Sequence, residues 1–338
     1  MPVEQHPGIL HYDRTLQRYN RNHRKGGQEM TIQDFILEAG KEIRSYLEGC
    51  GESDVQVSET DIVKANDTVL HGLILRREGS AAGANIYLDD LFERHESGEK
   101  MADLMWELKS RCRAVLESPL PPFELLNDLR LESIRSRLTL RLLDVRRNMS
   151  YMAHRPYIDA GNGLAMAVDI NCHESIKSEW KVAVTDGVLE SIGCSREELL
   201  TAAMENTIIL EPPLLMDLPS YLATGSHDNY LEGLPREAGS GPFILTNTSQ
   251  VRGAAVLFYP GIMERISDVF HGGYYVLPIS IHEMLIIPEE THPDVAQLAE
   301  MLEQGNRVIV DEDDVLSDKV FRYCPSSQKL CIAKAEAA

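Results

Sequence analysis

The chain has 338 residues, 43% hydrophobic and 25% charged, an ordinary globular composition that excludes wholesale disorder. Asp and Glu outnumber Lys and Arg by 53 to 33, and the formal charge of -20 disfavours broad binding to nucleic acids or anionic membranes. This length exceeds what one hydrophobic core usually supports, so two lobes are expected.

Residues 1–29 are polar and mildly basic, with few apolar side chains to offset the entropy cost of ordering them. We therefore expect a flexible tail, followed by an N-terminal lobe over residues 30–155. The alternative for the tail is a basic arm that grips a nucleic acid or an acidic partner.

The N-terminal lobe begins with a strongly patterned helix. Thr31 and Asp34 resemble a capping box, an apolar stripe follows, and Gly49 and Gly51 end the helix. Three extended runs come next, which we expect to pair as antiparallel strands: DVQVSETDIV, TVLHGLILRR and ANIYLDDLF.

A second helix is predicted over Lys100 to Leu116, where apolar residues recur at helical spacing and should cover one face of the sheet. The Arg-rich and Leu-rich residues 123–154 suit either a helical connector or one strand followed by a helix.

A C-terminal lobe over residues 156–338 repeats this alternation. Strands are expected at 164–170 and 180–185, and Ser195 with Glu198 predicts a capped helix. Residues 211–241 are rich in Pro, Gly and Ser, which predicts a long irregular insertion. The remaining strands (FILTN, GAAVLF, YYVLP, EMLIIP, KVFRYC, KLCIA) and helices (GIMERISDVF, DVAQLAEMLEQ) complete the lobe.

Short connections between strands favour hairpins, whereas a parallel sheet needs a helix between successive strands. The predicted fold class is therefore α+β, with two lobes that each hold a mostly antiparallel sheet covered by helices.

The six cysteines are scattered and form no CxxC pair, so we interpret them as free thiols. The chain shows no signal peptide and no apolar run of membrane-spanning length, and we expect a cytoplasmic protein without a membrane anchor.

The most conspicuous polar cluster is the link Pro278 to Glu283, which separates two apolar runs in HGGYYVLPISIHEMLIIPEETHPD. We expect the flanking runs to be neighbouring core strands. Ser280 and His282 are too close in sequence to converge readily as nucleophile and base, so we expect His282 and Glu283 to hydrogen-bond the backbone of the link. Catalysis by His282 and Glu283 is the alternative.

Other chemistry has less support. The chain has no P-loop, no GxGxxG after a strand and no HExxH, so no cofactor and no metal is predicted. Asp169, His173 and Glu174 are near one another in sequence, and histidines such as His271, His282 and His292 are loosely spaced. Mutually satisfied polar loops are the commoner outcome. The acidic run 311–314 is most simply solvated, with calcium as the cation to test.

The chain resembles an uncharacterised bacterial family, a domain of unknown function, from about Thr31 to the C-terminus. The resemblance rests on NIYLDDLFERHESG, RLLDVRRNMSYMAHRPYID with LAMAVDI, VTDGVLESIGCSREELLTAAMENT, LTNTSQVRGAAVLFYPG and YYVLPISIHEMLIIPEE. The link of that family typically reads Pro-Ser-Ser-Ile-His-Glu. Ile279 departs from this pattern, whereas Pro278, Ser280, His282 and Glu283 fit it. The resemblance implies a bacterial cytosolic protein and supplies no reaction or substrate.

Two functions follow as hypotheses. The first is a non-enzymatic interaction or regulatory protein with a protein partner, because catalytic motifs are missing and the surface is acidic. The second is a hydrolase, possibly metal-assisted, that uses His282 and Glu283 with help from Asp169, His173 or Tyr275.

Overall fold

The structure, a computed structural model, describes residues 30–78, 83–117, 129–171, 181–225, 228–232 and 241–334. The predicted tail at residues 1–29 lies outside this part of the chain. The fold class is α+β, as predicted, and the strands form three antiparallel sheets.

The first sheet has the order β1-β2-β3 and packs against three helices. Thr31 caps the first helix in a complete capping box with Asp34, as the sequence predicts. The elements in chain order are α1 (Ile32–Gly49), β1 (Val55–Val63), β2 (Val69–Arg77), β3 (Ala84–Tyr87), α2 (Asp89–Glu96) and α3 (Met101–Glu117).

The run ANIYLDDLF is a strand only in its first part, because Asp89 and Asp90 begin helix α2. Acidic residues are favourable in the first turn of a helix, where its dipole is positive. The helix predicted at Lys100 to Leu116 is confirmed as α3.

The second sheet is centred on one long buried strand, with a partner on one side and two shorter partners on the other. Its elements are α4 (Leu131–Ile134), β4 (Leu138–Asp144), α5 (Met149–Met152), β5 (Tyr157–Gly161), β6 (Leu164–Asn171) and β7 (Lys181–Ala183). For residues 129–154 the structure has a strand followed by a short helix, one of the two alternatives. Residue 155, the expected lobe boundary, falls inside this sheet, because β4 pairs with β6.

The third sheet has the order β13-β12-β10-β11-β9-β8. Its strands and the helices around it are α6 (Asp186–Ile192), α7 (Arg196–Leu210), β8 (Pro213–Asp217), α8 (Leu218–Thr224), β9 (Phe243–Asn247), α9 (Ile262–Phe270), β10 (Tyr274–Leu277), β11 (Met284–Pro288), α10 (Val295–Val308), β12 (Phe321–Cys324) and β13 (Lys329–Ile332). The helix capped by Ser195 and Glu198 is confirmed as α7.

Two predictions in this half are wrong. Residues 211–241 are not irregular throughout, because β8 and α8 lie within them; residues 226–227 and 233–240 are outside the described part. Pro213 is the first residue of an edge strand, where a missing N–H is tolerated, and Asp217 caps α8. The run GAAVLF is a 3-10 helix, Gly253–Phe258, rather than a strand. Burial of nearly the whole run removes the periodicity that would distinguish the two.

The buried apolar side chains form two main clusters, and their division does not follow the predicted boundary at residue 155, because β4 belongs to the larger cluster. One joins α1, α2 and α3 to the first sheet, and the larger one joins the second and third sheets. A smaller cluster lies between α10 and the opposite face of the third sheet. The described cysteines are free thiols, and Cys172 lies outside them. Among the described residues, no helix combines the length and the apolar character needed to cross a membrane.

Candidate functional site

The link Pro278 to Glu283 joins β10 to β11, which pair as neighbouring core strands, as predicted. The Ser280 hydroxyl accepts a hydrogen bond from the main-chain N–H of His282 at 3.0 Å. The main-chain N–H of Ser280 donates to the carbonyl of Glu283 at 3.2 Å. Ser280 is therefore used to close the turn.

The His282 imidazole contacts two other segments. Its Nδ1 accepts a hydrogen bond from the main-chain N–H of Arg252 at 3.1 Å, and its Nε2 lies 3.3 Å from Oδ2 of Asp314. The His282 carbonyl accepts a hydrogen bond from the Thr246 hydroxyl at 2.8 Å. Glu283 is partly buried, and this burial raises the pKa of its carboxyl group, while the nearby His282 opposes that rise.

Arg252 connects the link to the second sheet, and sequence reasoning did not single it out. It has a left-handed backbone conformation, with φ of 56°, immediately before the tightly packed Gly253. While its main chain contacts His282, its guanidinium group reaches away, and Nη1 donates to Oδ2 of Asp169 at 2.8 Å. Asp169 and His282, both predicted candidates, are therefore joined through one residue.

Asp169 lies on β6, is buried, and is surrounded by three guanidinium groups. Nη2 of Arg155 donates to its Oδ1 at 2.6 Å, and Nε of Arg141 lies 3.4 Å from its Oδ2. We call Asp169, Arg141, Arg155 and Arg252 the Asp169 cluster. Arg155 is itself held by the carbonyls of Val168 and Val184.

Glu211 is another buried carboxyl group of this region and follows α7 directly. Its Oε2 accepts a hydrogen bond from Nδ2 of Asn247 at 3.2 Å, and its Oε1 lies 3.8 Å from Nζ of Lys181. Burial raises the pKa of Glu211 to about 7, although Lys181 and Asn247 oppose the rise; the negative charge of Asp169 adds to it. Glu211 and the Asp169 cluster therefore interact electrostatically.

Several buried polar atoms in this region have no hydrogen-bond partner: Nε of Arg141, Nη1 of Arg155, Oδ1 of Asn171 and Oε1 of Glu211. Nε of Arg141 and Oε1 of Glu211 have ion-pair contacts at 3.4 and 3.8 Å, whereas Nη1 of Arg155 and Oδ1 of Asn171 have no described polar partner. Buried polar atoms in folded proteins are almost always paired, so the last two have the most unused hydrogen-bonding capacity.

Residues Glu312–Asp314 of the acidic run 311–314 form a 3-10 helix. The tip of the β1–β2 hairpin packs against this run. Nδ2 of Asn66 donates to the carbonyls of Glu312 and Val315, at 2.7 and 2.8 Å. The same run supplies Asp314, which contacts His282. A continuous set of contacts thus leads from the first sheet through His282 to Asp169.

The remaining candidates lie elsewhere. Tyr275 packs in the cluster under α10, whereas its neighbours Tyr274 and Val276 face the larger core, so it points away from Asp169. His271 ends α9, and His292 follows a separate 3-10 turn. His173 and Glu174 fall outside the described residues. Within the described ranges, no three His, Cys, Asp or Glu side chains are grouped closely enough to hold a metal ion.

Together these features define an α+β protein whose second and third sheets are tied by a buried network of charged side chains. Residues 32–325 match the sequence profile of DUF5688, a family of unknown function, and the chain belongs to that family. Comparisons with curated proteins and with solved structures gave no match.

Proposed function

We propose that the chain is a non-enzymatic interaction or regulatory protein of the bacterial cytoplasm. The observation that carries this proposal is that the polar side chains of the link already have partners within the fold. The Ser280 hydroxyl accepts from the main-chain N–H of His282, and the two ring nitrogens of His282 contact Arg252 and Asp314. A serine nucleophile needs an adjacent base, but this hydroxyl is bound to a main-chain N–H.

Acidic residues are concentrated in one segment of the chain, and three of them, Glu289, Asp314 and Asp318, contact Arg322, His282 and Arg147. Residues 289–318, which include α10, contain ten acidic residues and a single basic one, Arg307. We call this segment the acidic face. It also exposes large apolar side chains, and Val308 and Ile309 are 74% and 72% exposed. This combination favours a basic partner with apolar anchors, since opposite charge steers association and apolar contacts stabilise the complex.

The test is affinity capture from cells that express the protein, followed by reconstitution with the purified partner. We expect a stoichiometric basic partner whose binding weakens with salt and is lost in the double variant Val308→Ser, Ile309→Ser. The matched control is Ile209→Ser on α7, because Ile209 is also 74% exposed but lies outside the acidic face. Failure to capture any stoichiometric partner, or equal loss in both variants, contradicts the proposal.

The second candidate function is a hydrolase, possibly metal-assisted, at His282 and Glu283. It is favoured by the partly exposed His282 beside Asp314 and by the raised pKa of Glu283. Its test is to replace His282 and Glu283 singly with Ala and to measure bound metal and thermal stability. Loss of metal with unchanged stability supports the hydrolase, and loss of stability with no metal in any sample contradicts it.

A further inference from the structure

The buried region around Asp169 carries more positive than negative charge. Of the described side chains, Arg141, Arg155, Arg252 and Lys181 face two carboxyl groups, those of Asp169 and Glu211. The raised pKa of Glu211 brings that carboxyl closer to neutrality, which increases the excess. Buried charge without a counter-ion is costly, so this excess of cations among the described side chains favours a bound anion.

The unpaired atoms have the right character for an oxyanion. Nη1 of Arg155 is a buried donor without an acceptor, Nε of Arg141 has only its 3.4 Å contact with Asp169 and no hydrogen bond, and the Arg155 side chain is only 2% exposed. Guanidinium groups bind phosphate and carboxylate oxygens in charge-assisted hydrogen bonds. Both groups contact the carboxylate of Asp169, Arg155 at Oδ1 and Arg141 at Oδ2.

Two unpaired acceptors accompany these donors. Arg141 on β4 is opposite Ala167 on β6, and Asp169 and Asn171 follow Ala167 at intervals of two residues. Because side chains alternate along a strand, Arg141, Asp169 and Asn171 lie on one face of the second sheet. Oδ1 of Asn171 and Oε1 of Glu211 lack donors there, which favours a ligand that also carries a hydroxyl group.

We propose that the Asp169 cluster is a binding site for a small phosphoryl group, either hydrogen phosphate or the phosphate of a monoester. Two of its oxygens accept from Arg155 and Arg141, and the P–OH of hydrogen phosphate, or of the singly ionised monoester, donates to Asn171 or to Glu211. Access is through the side chains of Arg252 and Arg141, which are 16% and 12% exposed. This inference does not rest on the proposed interaction function.

The experiment is calorimetric titration of the full chain with inorganic phosphate, with glycerol 2-phosphate and with sulfate, each against sodium chloride of equal ionic strength. We expect binding of at least one phosphate ligand, a rise in Tm that chloride does not reproduce, and weaker binding of sulfate, which has no hydroxyl group at neutral pH. Preference for the monoester over inorganic phosphate would identify a phosphorylated metabolite as the ligand, and the reverse would identify free phosphate.

Arg141→Gln removes one donor whose only described carboxylate contact is long, so this variant is expected to fold and to bind phosphate at least about tenfold more weakly. The matched control is Arg135→Gln, which removes an exposed ion pair with Glu205 and should bind like the parent. Absence of phosphate binding by the parent overturns the proposal, as does unchanged affinity in Arg141→Gln. A crystal grown in phosphate with only water at Nη1 of Arg155 overturns it as well.

Discussion

The main-chain N–H of Arg252 donates to Nδ1 of His282, and this hydrogen bond determines the tautomer of the neutral imidazole. Because Nδ1 accepts a hydrogen bond, the ring proton of the neutral side chain lies on Nε2, which faces Oδ2 of Asp314 at 3.3 Å. The tautomer follows from this hydrogen-bond geometry. His282 thus accepts a hydrogen bond from the main chain of Arg252 and directs its own N–H toward Asp314 in the acidic run.

His282→Ala should lower the free energy of unfolding by about 1–3 kcal/mol, because the N–H of Arg252 loses its acceptor in a partly buried place. His282→Asn should restore part of the loss, since its amide oxygen can occupy the position of Nδ1. Urea unfolding of both variants, with the parent, measures this. His282→Gln is the control, because its amide reaches toward Nε2, and a better rescue by Gln than by Asn would contradict the assignment.

Asp169→Asn should be among the most damaging single changes in the chain. It preserves the side-chain shape but leaves Arg155 buried without a counter-charge, at an expected cost of about 3–5 kcal/mol in the free energy of unfolding. Glu205→Gln breaks an exposed pair with Arg135 and should cost less than about 1 kcal/mol. Similar costs in the two variants would show that the Asp169 cluster is not a desolvated ion network.

Glu211 should make stability depend on pH. Since its pKa is raised from 4.5 to about 7, the folded chain retains a proton that the unfolded chain has lost between these values. The contribution is fully present below about pH 4.5 and is lost as pH rises to about 7, by up to roughly 3 kcal/mol.

The measurement is the difference in unfolding free energy between the parent and Glu211→Gln across this pH range. Contributions from the other carboxyl groups are the same in both proteins and therefore cancel in this difference. The parent should lose stability relative to the variant as the pH rises. A constant difference would mean that Glu211 titrates normally.

Gly253→Ala tests the close packing beside Arg252. An added Cβ would lie 2.2 Å from the Thr246 hydroxyl, 2.5 Å from the Asn247 nitrogen and 2.7 Å from the His282 carbonyl. Overpacking against main chain should cost about 1–3 kcal/mol or more. Gly305→Ala on α10, where no atom lies within 4 Å of the new Cβ, should instead stabilise the chain by about 0.5–1 kcal/mol. In thermal unfolding, the Tm should therefore fall in Gly253→Ala and rise in Gly305→Ala.

Local signals in the sequence predicted local structure well. The capping boxes at Thr31 and Ser195 mark real helix starts, because their hydrogen bonds join residues three positions apart. The runs beside Pro278 could be identified as buried strands from their continuous apolar character. By contrast, Gly253–Phe258 is buried on nearly all sides, so its sequence carries no period that separates a strand from a helix.

The site was only half predictable for a similar reason. Asp169 and His282 stand out as polar residues between apolar runs, but Arg252 sits in an ordinary turn sequence. Its importance comes from contacts 83 residues upstream and 30 residues downstream in the chain, and no local pattern encodes these. The link motif expected from the family resemblance remains a prediction.

The docking of Asn66 onto the acidic run has a consequence for biosynthesis. Asn66 leaves the ribosome 246 residues before its acceptor at Glu312, so this hydrogen bond of its side-chain amide cannot form until the chain is almost complete. Contacts this distant in sequence are entropically costly and form late. The tip of the first hairpin can therefore bind Asn148, Ser150 and Tyr151 midway through synthesis, whereas its contact with the acidic run is added only when translation is nearly finished.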